Sequence, residues 1–329
     1  MKVAILDDYA RASPRLSAYA KLAGHEVTVF DDHVREPDVL AARLDGFEAL
    51  VVIQQRLWMP RALVDRLPNS VRLISQTGHW YAHIDIDACT ERGIAVTAAG
   101  TTNYHAPAEL AWGLILASQR HLPLELNAVK NGRWLSSLGT EVHGRTLGIY
   151  AYGNIGSIVA AVGRAFGMRV LCWGRDASMS RAAAEGYEVP ASRKEFFSRC
   201  DIVSLHLPLR PNTRGIVTSS DLACMKSSAL LVNVSRAALI GDHTLAEALK
   251  RGHPGRAAVD VYEDEPVIDG RNPLAELDNC ICSPHLGYVG VDTFERYLGG
   301  AFDHVAAFAN GTPINVVNPA VLGTRSLQQ

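Results

Sequence analysis

The sequence predicts an α/β protein built from two doubly wound parallel-sheet domains, and three observations carry that expectation. At 329 residues the chain exceeds what one hydrophobic core accommodates, so two domains are expected. Its first hundred residues alternate short apolar runs with amphipathic stretches, the rhythm of parallel strands joined by crossover helices. The rhythm returns between residues 146 and 283, now with near-continuous apolar runs, as strands covered on both faces require.

In the first set the strand-like runs are KVAILD, HEVTVF, ALVVIQ, VRLISQ and GIAVTA, each leading into a helix-like segment. A long helical stretch spans roughly residues 104–130. The second set reads TLGIYA, RVLCWG, DIVSLHL, ALLVNV, RAAVDV and NCICSP. A further helix is expected over 289–308, followed by the apolar tail INVVNPAVL. A lone helix and tail cannot bury their own apolar faces, so the last forty residues are expected to return to the first set. The predicted domains are therefore 1–99 with 289–329, and 100–288.

Composition narrows the function classes. The chain is 48% hydrophobic and 20% charged, with a formal net charge of −2 and charges of both signs interspersed. No like-charge block points to nucleic acid or to an anionic membrane surface, so neither partner is expected. The longest apolar stretch, Ala106 to Ser118, contains Glu109 and falls short of the ~18 residues a membrane span needs. The opening MKVAILDDY is too short for a signal-peptide core, so a cytoplasmic protein is expected. Six cysteines lack the paired spacing of zinc sites, and no metal is expected. Cys280 and Cys282 alternate along one run and should face the same side, as core packing.

LGIYAYGNIG, residues 147–156, lies between a strand-like run and a good helix, with Ala151 where a G-x-G-x-x-G turn begins. In such turns the second glycine lets the backbone approach a pyrophosphate and the third lets helix and strand pack closely. Gly153 and Gly156 fill those two positions, and the pyrophosphate would sit on the amides near Asn154 and Ile155 at the helix N-terminus. An ordinary strand-to-helix connection is the alternative. The next run, RVLCWG, ends at Gly174 and is followed by Arg175 rather than a carboxylate. A guanidinium there suits a 2′-phosphate, which favours NADPH over NADH. The alternative is that Asp176 reaches the ribose hydroxyls and Arg175 is solvated.

Six ordered segments, GTTNYHAPAELAWGLILA, GRTLGIYAYGNIGSIVAAVGRAFGMRV, DIVSLHLPLRPNTRGIV, MKSSALLVNVSRAALI, AAVDVYEDEP and SPHLGYV, resemble the D-isomer-specific 2-hydroxyacid dehydrogenases. The resemblance runs over nearly the whole chain. It implies a Rossmann dinucleotide-binding domain inserted into a flavodoxin-like substrate domain, an NADP or NAD cofactor and a small 2-keto or 2-hydroxy acid substrate. It further implies a homodimer, with the stretch near 104–130 as the contact.

It also implies a catalytic triad. Arg236 in NVSRAAL would grip the substrate carboxylate and polarise the keto oxygen, His285 in SPHLG would protonate that oxygen, and Glu265 in DVYEDEP would orient the histidine. Taken singly, each residue has an ordinary structural reading. Asp260 resembles an aspartate near the nicotinamide, while His206, Pro208 and Thr213 resemble residues lining the cofactor's path; Val234, Ser235 and Gly287 flank the triad as further contacts. On the substrate side the family loop is altered: TGHWYAHID keeps Gly78, but Trp80 stands in place of a second glycine, beside Tyr81. Amides there could still form an anion-binding nest, or the rings could form a packing cluster.

The expected activity is thus hydride transfer between NAD(P)H and a small 2-keto acid, glyoxylate- or hydroxypyruvate-like. The altered loop, and the lack of a recognisable C-terminal regulatory domain, weigh against D-3-phosphoglycerate dehydrogenase proper, which stays open with a nucleotide-sensing corepressor as alternatives. A formate dehydrogenase needs no acid, and the Glu265 and His285 pairing argues against it.

Overall fold

The computed structural model describes residues 1–268 and 270–323. The chain divides into two compact units, Met1–Thr102 with the segment from Gly290 onward, and Asn103–Val289. Residues 324–329 of the expected first domain lie outside the described residues.

The first unit holds strands β1 (Lys2–Leu6), β2 (Glu26–Val29), β3 (Ala49–Val52), β4 (Leu73–Thr77) and β5 (Ala95–Ala99). All pair in parallel, in the order β2-β1-β3-β4-β5, which is the flavodoxin-like winding. β3 and β4 are buried along their whole length; β3 is accordingly apolar throughout, while β4 also buries the polar Ser75, Gln76 and Thr77. The helix Val291–Ala309 buries Phe294, Leu298, Ala301, Phe302 and Val305, a stripe at helical spacing. Each large side chain of that stripe contributes roughly 1.5–3 kcal/mol. Polar contacts set its register: Glu295 accepts from the amides of Ser17 (2.6 Å) and Ala18 (3.0 Å), and the Ser75 hydroxyl donates to the Ala301 carbonyl at 2.9 Å. Beyond it, Val316 forms an antiparallel bridge with Thr97, and Asn318 accepts from the Val96 amide at 2.8 Å. The tail thus covers the open edge of β5.

The second unit holds β6 (Thr146–Tyr150), β7 (Arg169–Trp173), β8 (Ile202–Leu205), β9 (Leu230–Asn233), β10 (Arg256–Val259) and β11 (Cys280–Cys282), all parallel, in the order β11-β10-β9-β8-β6-β7. A single parallel rung, Leu171 with Glu188, lies outside β7. Counting that rung as a vestigial third strand, the winding is that of a Rossmann sheet, whose direction reverses between β6 and β8.

Two helical expectations change. The stretch 104–130 is two helices, His105–Gln119 and Leu122–Lys130, broken at His121, whose φ of 51° is left-handed. Pro123 explains the break, since proline cannot continue a helix but suits the first turn of a new one. After β1 the chain forms two short 3-10 segments, Ser13–Arg15 and Ser17–Leu22, rather than an α-helix, with Pro14 opening the first.

Candidate active site

Three neighbouring strands of the second unit, β9, β10 and β11, end beside one another, and the loops leaving them carry Arg236, Glu265 and His285. Asn233, the last residue of β9, staples the first loop. Its amide donates to the Arg236 carbonyl (3.0 Å) and its oxygen accepts from the Ser235 N–H (3.0 Å), while the Ser235 hydroxyl donates to the Leu205 carbonyl at 3.1 Å. Val234 is buried beneath this turn. The Arg236 guanidinium donates to the Ser235 carbonyl at 2.7 Å. Burial pulls its pKa down from the usual value, opposed by the charges of Glu265 and Tyr288. The arginine therefore lies within the field of the Glu265 carboxylate.

Glu265 holds two elements together. Its Oε1 accepts from the Tyr262 amide at 2.8 Å, and its Oε2 lies 2.6 Å from His285 Nδ1. An ionised carboxylate only accepts, so Nδ1 carries the proton and the imidazole presents Nε2 to whatever it acts on. His285 has a left-handed φ of 52°, unusual for a side chain of its size, and its ring meets Tyr288 edge-on at 5.3 Å. Asp260 enforces the turn around it. Fully buried, it accepts from the Ser283 hydroxyl (2.6 Å) and the Leu286 amide (2.7 Å) through Oδ1, and from the Gly287 amide (2.8 Å) through Oδ2. Burial raises its pKa against the pull of those donors. Asp260 thus carries the histidine loop, a role its sequence context did not indicate.

The glycine-rich turn connects β6 to the helix Asn154–Ala165. Ala151 adopts φ 77°, a left-handed conformation that a first glycine would take without strain. A Cβ on Gly156 would stand 2.4 Å from the Ala151 carbonyl oxygen and 3.0 Å from Ile149, so only glycine fits there. A Cβ on Gly153 would meet nothing within 4 Å, leaving open space at the helix N-terminus, where a pyrophosphate is held in such turns. His206 is buried, neither ring nitrogen has a hydrogen-bond partner, and burial pulls its pKa down to about 3. A buried imidazole without partners suits a site completed by a ligand. These residues fit a bound dinucleotide.

Beside Gly174, Arg175 and Asp176 are exposed at the start of the helix Asp176–Ala184. Two residues of that helix reach the glycine turn: Ser178 accepts from the Tyr152 amide at 2.7 Å, and Arg181 donates to the Gly153 carbonyl at 3.0 Å. No motif marked either, because their relation to the turn arises only from the fold. The Thr213 hydroxyl donates to the Pro208 carbonyl at 2.7 Å, so these two residues shape their own loop.

In the first unit, Gly78 has φ 77°, and a Cβ there would lie 3.1 Å from the Gln54 side-chain nitrogen. Trp80 and Tyr81 are exposed rather than packed within their unit. His83 beside them is buried, with its pKa drawn down to about 4. Among the described residues, no group of three or more His, Cys, Asp or Glu is placed to hold a metal, and no helix is long and apolar enough to cross a membrane.

Residues 112–287, more than half of the chain, match the model of the D-isomer specific 2-hydroxyacid dehydrogenase NAD binding domain. The chain is 35% identical over 273 residues to the glyoxylate reductase of Aeropyrum pernix, covering 80% of this chain and 81% of that one. It is 30% identical to the hydroxypyruvate reductase of Blautia hydrogenotrophica, covering 97% and 100%. A phosphoglycerate oxidoreductase structure from Vibrio cholerae superposes with a TM-score of 0.90 at 45% identity, covering 94% and 99%. The chain spans about half the length of the curated phosphoglycerate dehydrogenases it matches. The chain belongs to the D-isomer specific 2-hydroxyacid dehydrogenase family, NAD-binding oxidoreductases of the CH–OH group.

Proposed function

We propose that this chain reduces a 2-keto acid to the D-2-hydroxy acid, with NADPH preferred as donor. The bound nicotinamide supplies the hydride. Arg236 grips the substrate carboxylate and polarises the carbonyl with a planar pair of donors. His285, protonated on both nitrogens at the start, delivers the Nε2 proton to the carbonyl oxygen as the C2 carbon is reduced. Glu265 stabilises the charged imidazole and orients it. Amides around Gly78 and Trp80, with the neighbouring Tyr81, complete the substrate side. The observation that carries this reading is the 2.6 Å contact between His285 and Glu265, on loops adjacent to that of Arg236.

Arg175, exposed beyond β7, supports NADPH, since its guanidinium offsets the charge of a 2′-phosphate. Leu122, Leu124, Leu126, Val129, Trp134, Leu135 and Leu138 are all exposed within residues 122–138 of the second unit, and large apolar side chains exposed together are what an interface covers. Those exposed side chains support a homodimer. Light scattering that returned a monomer would contradict it.

The activity is tested by mixing the purified chain with NADPH or NADH and glyoxylate, hydroxypyruvate, pyruvate or phenylpyruvate, and following the nicotinamide absorbance. Oxidation with at least one of these acids is expected, faster with NADPH. No oxidation across the panel would refute the proposal.

A further inference from the structure

The last strand of the second unit carries two thiols on one side. Cys280 and Cys282 alternate along β11, and their Sγ atoms lie 3.8 Å apart, in hydrogen-bond contact. Both side chains are partly exposed, whereas Cys89, Cys172 and Cys200 are buried. Burial pushes the Cys89 and Cys172 thiols up to about 12 and raises Cys200 as well, which leaves all three inert. Cys282 shifts the other way. The Cys280 thiol beside it holds its pKa below the usual thiol value, against the effect of burial, while Cys280 itself is shifted up. A thiolate only accepts, so Cys280 keeps its proton and donates toward Cys282.

β11 is placed to yield when those sulfurs join. It is three residues long and, among the described residues, pairs with β10 alone, so its outer edge has no second ladder to hold it. Two residues along a strand span about 6.6 Å between Cα atoms, near the upper limit for a disulfide, so a bridge draws β11 together locally. That shortening reaches the histidine loop. Cys282 is bonded to Ser283, whose carbonyl accepts from the Tyr262 hydroxyl at 2.8 Å and from the His285 amide at 3.0 Å. Tyr262 in turn holds Glu265 through its own amide.

We propose that Cys280 and Cys282 are a reversible redox pair, a modification site at which a hydroperoxide closes a disulfide within one strand. The Cys282 thiolate attacks one oxygen of hydrogen peroxide: an S–O bond forms, the O–O bond breaks, and hydroxide leaves as water with the proton that Cys282 has lost. Sulfur is oxidised to a sulfenic acid and the peroxide is reduced. The Cys280 sulfur then attacks that of Cys282; an S–S bond forms, the S–O bond breaks, and the departing hydroxide leaves as water with the Cys280 proton. Two thiols and one peroxide give one disulfide and two waters. A reducing thiol such as dithiothreitol reopens the bridge. Because the bridged strand leads into His285, closure slows hydride transfer, and this consequence alone rests on the reductase reading given above.

The test is thiol labelling with an alkylating reagent after the purified chain has met hydrogen peroxide. Trypsin releases both residues in one peptide, 272–296, which contains no other cysteine. After peroxide that peptide is expected to take up neither label and to weigh two hydrogens less. The change should run at least about tenfold faster than loss of label at Cys89, Cys172 or Cys200, and dithiothreitol should restore both labels. In Cys280→Ser the reaction should stop at a sulfenic acid on Cys282, trapped by dimedone; in Cys282→Ser, Cys280 should keep its label. Retention of both labels, a bridge to any other cysteine, or over-oxidation of Cys282 in the wild-type chain without a bridge would overturn the proposal, whether or not the serine variants fold. With the bridge closed and peroxide removed, keto-acid reduction should run about tenfold slower and recover with dithiothreitol. An unchanged rate would overturn the link to His285 alone. A reduced chain that turns over none of the acids above would overturn the reductase reading, and the labelling would still decide the bridge.

Discussion

Replacing Glu265 with glutamine isolates the contribution of one negative charge. The side chain keeps its shape, but its two oxygens now serve His285 at 2.6 Å and the Tyr262 amide at 2.8 Å, and both partners are donors. A glutamine has one oxygen and one NH2 group, so it satisfies one of them and turns a donor toward the other. The contact to His285 is charge-assisted, worth about 1.5–3 kcal/mol, and the charge counts most when the imidazole is protonated. At about 1.4 kcal/mol per factor of ten, kcat for keto-acid reduction should fall roughly 10- to 100-fold. The carboxylate's contacts bind protein groups, so cofactor affinity, read by nicotinamide fluorescence, should change less than about threefold. Stopped-flow measurement of nicotinamide oxidation under saturating substrate gives kcat directly. A loss below about threefold would refute the claim that Glu265 stabilises the imidazolium.

Other perturbations follow from the same geometry. His285→Ala should lower kcat by about two to four orders of magnitude, and a loss under tenfold in steady-state assays would remove it as the acid. Arg175→Ala should weaken NADPH far more than NADH in equilibrium titrations; equal loss would return the ribose contact to Asp176. Ala151→Gly relieves a left-handed alanine at φ 77° and should raise the calorimetric midpoint of the second unit by about 1–3 °C, whereas a fall would show that the turn holds no strain. His83 and His206, with folded pKa values of about 4 and about 3, are neutral in the fold yet titrate near 6.5 once unfolded. Their contribution is complete above pH 6.5 and is lost as pH falls toward 4, about 2 kcal/mol each by pH 5. Denaturant titrations should show that decline, and His83→Leu should flatten it for the first unit; an unchanged slope would place His83 in water.

Much of the fold was legible in the sequence because strands buried on both faces are mostly apolar, with the few polar side chains they bury, such as Ser75 and Asn233, hydrogen-bonded in place. All eleven apolar runs coincide with strands. What escaped depends on contacts between distant residues. Glu188 makes a strand only as a single rung on Leu171, too short to register as a run. His121 breaks a helix through its own left-handed backbone, with Pro123 two residues on. Arg181 and Ser178 look like ordinary helix residues until the fold sets them against the glycine turn. Arg236, Glu265 and His285 are each unremarkable alone, and were legible through their surrounding segments rather than their spacing. Parallel pairing of β9, β10 and β11 then brings their loops side by side. The roles of Asp260 and Asn233 as staples were invisible, since a buried polar residue at a strand end declares its partners only in three dimensions.

As proposed, the loops carrying Arg236, Glu265 and His285 deliver a proton to a carbonyl oxygen while hydride reaches the carbon bonded to it. The most direct measurement of this transfer is a product analysis: the purified chain is incubated with NADPH and a 2-keto acid, and the hydroxy acid is quantified by chiral chromatography against the nicotinamide oxidised. One D-hydroxy acid is expected per nicotinamide consumed, with its near disappearance in His285→Ala. Formation of the L-acid, or nicotinamide oxidation without hydroxy acid, would contradict this mechanism.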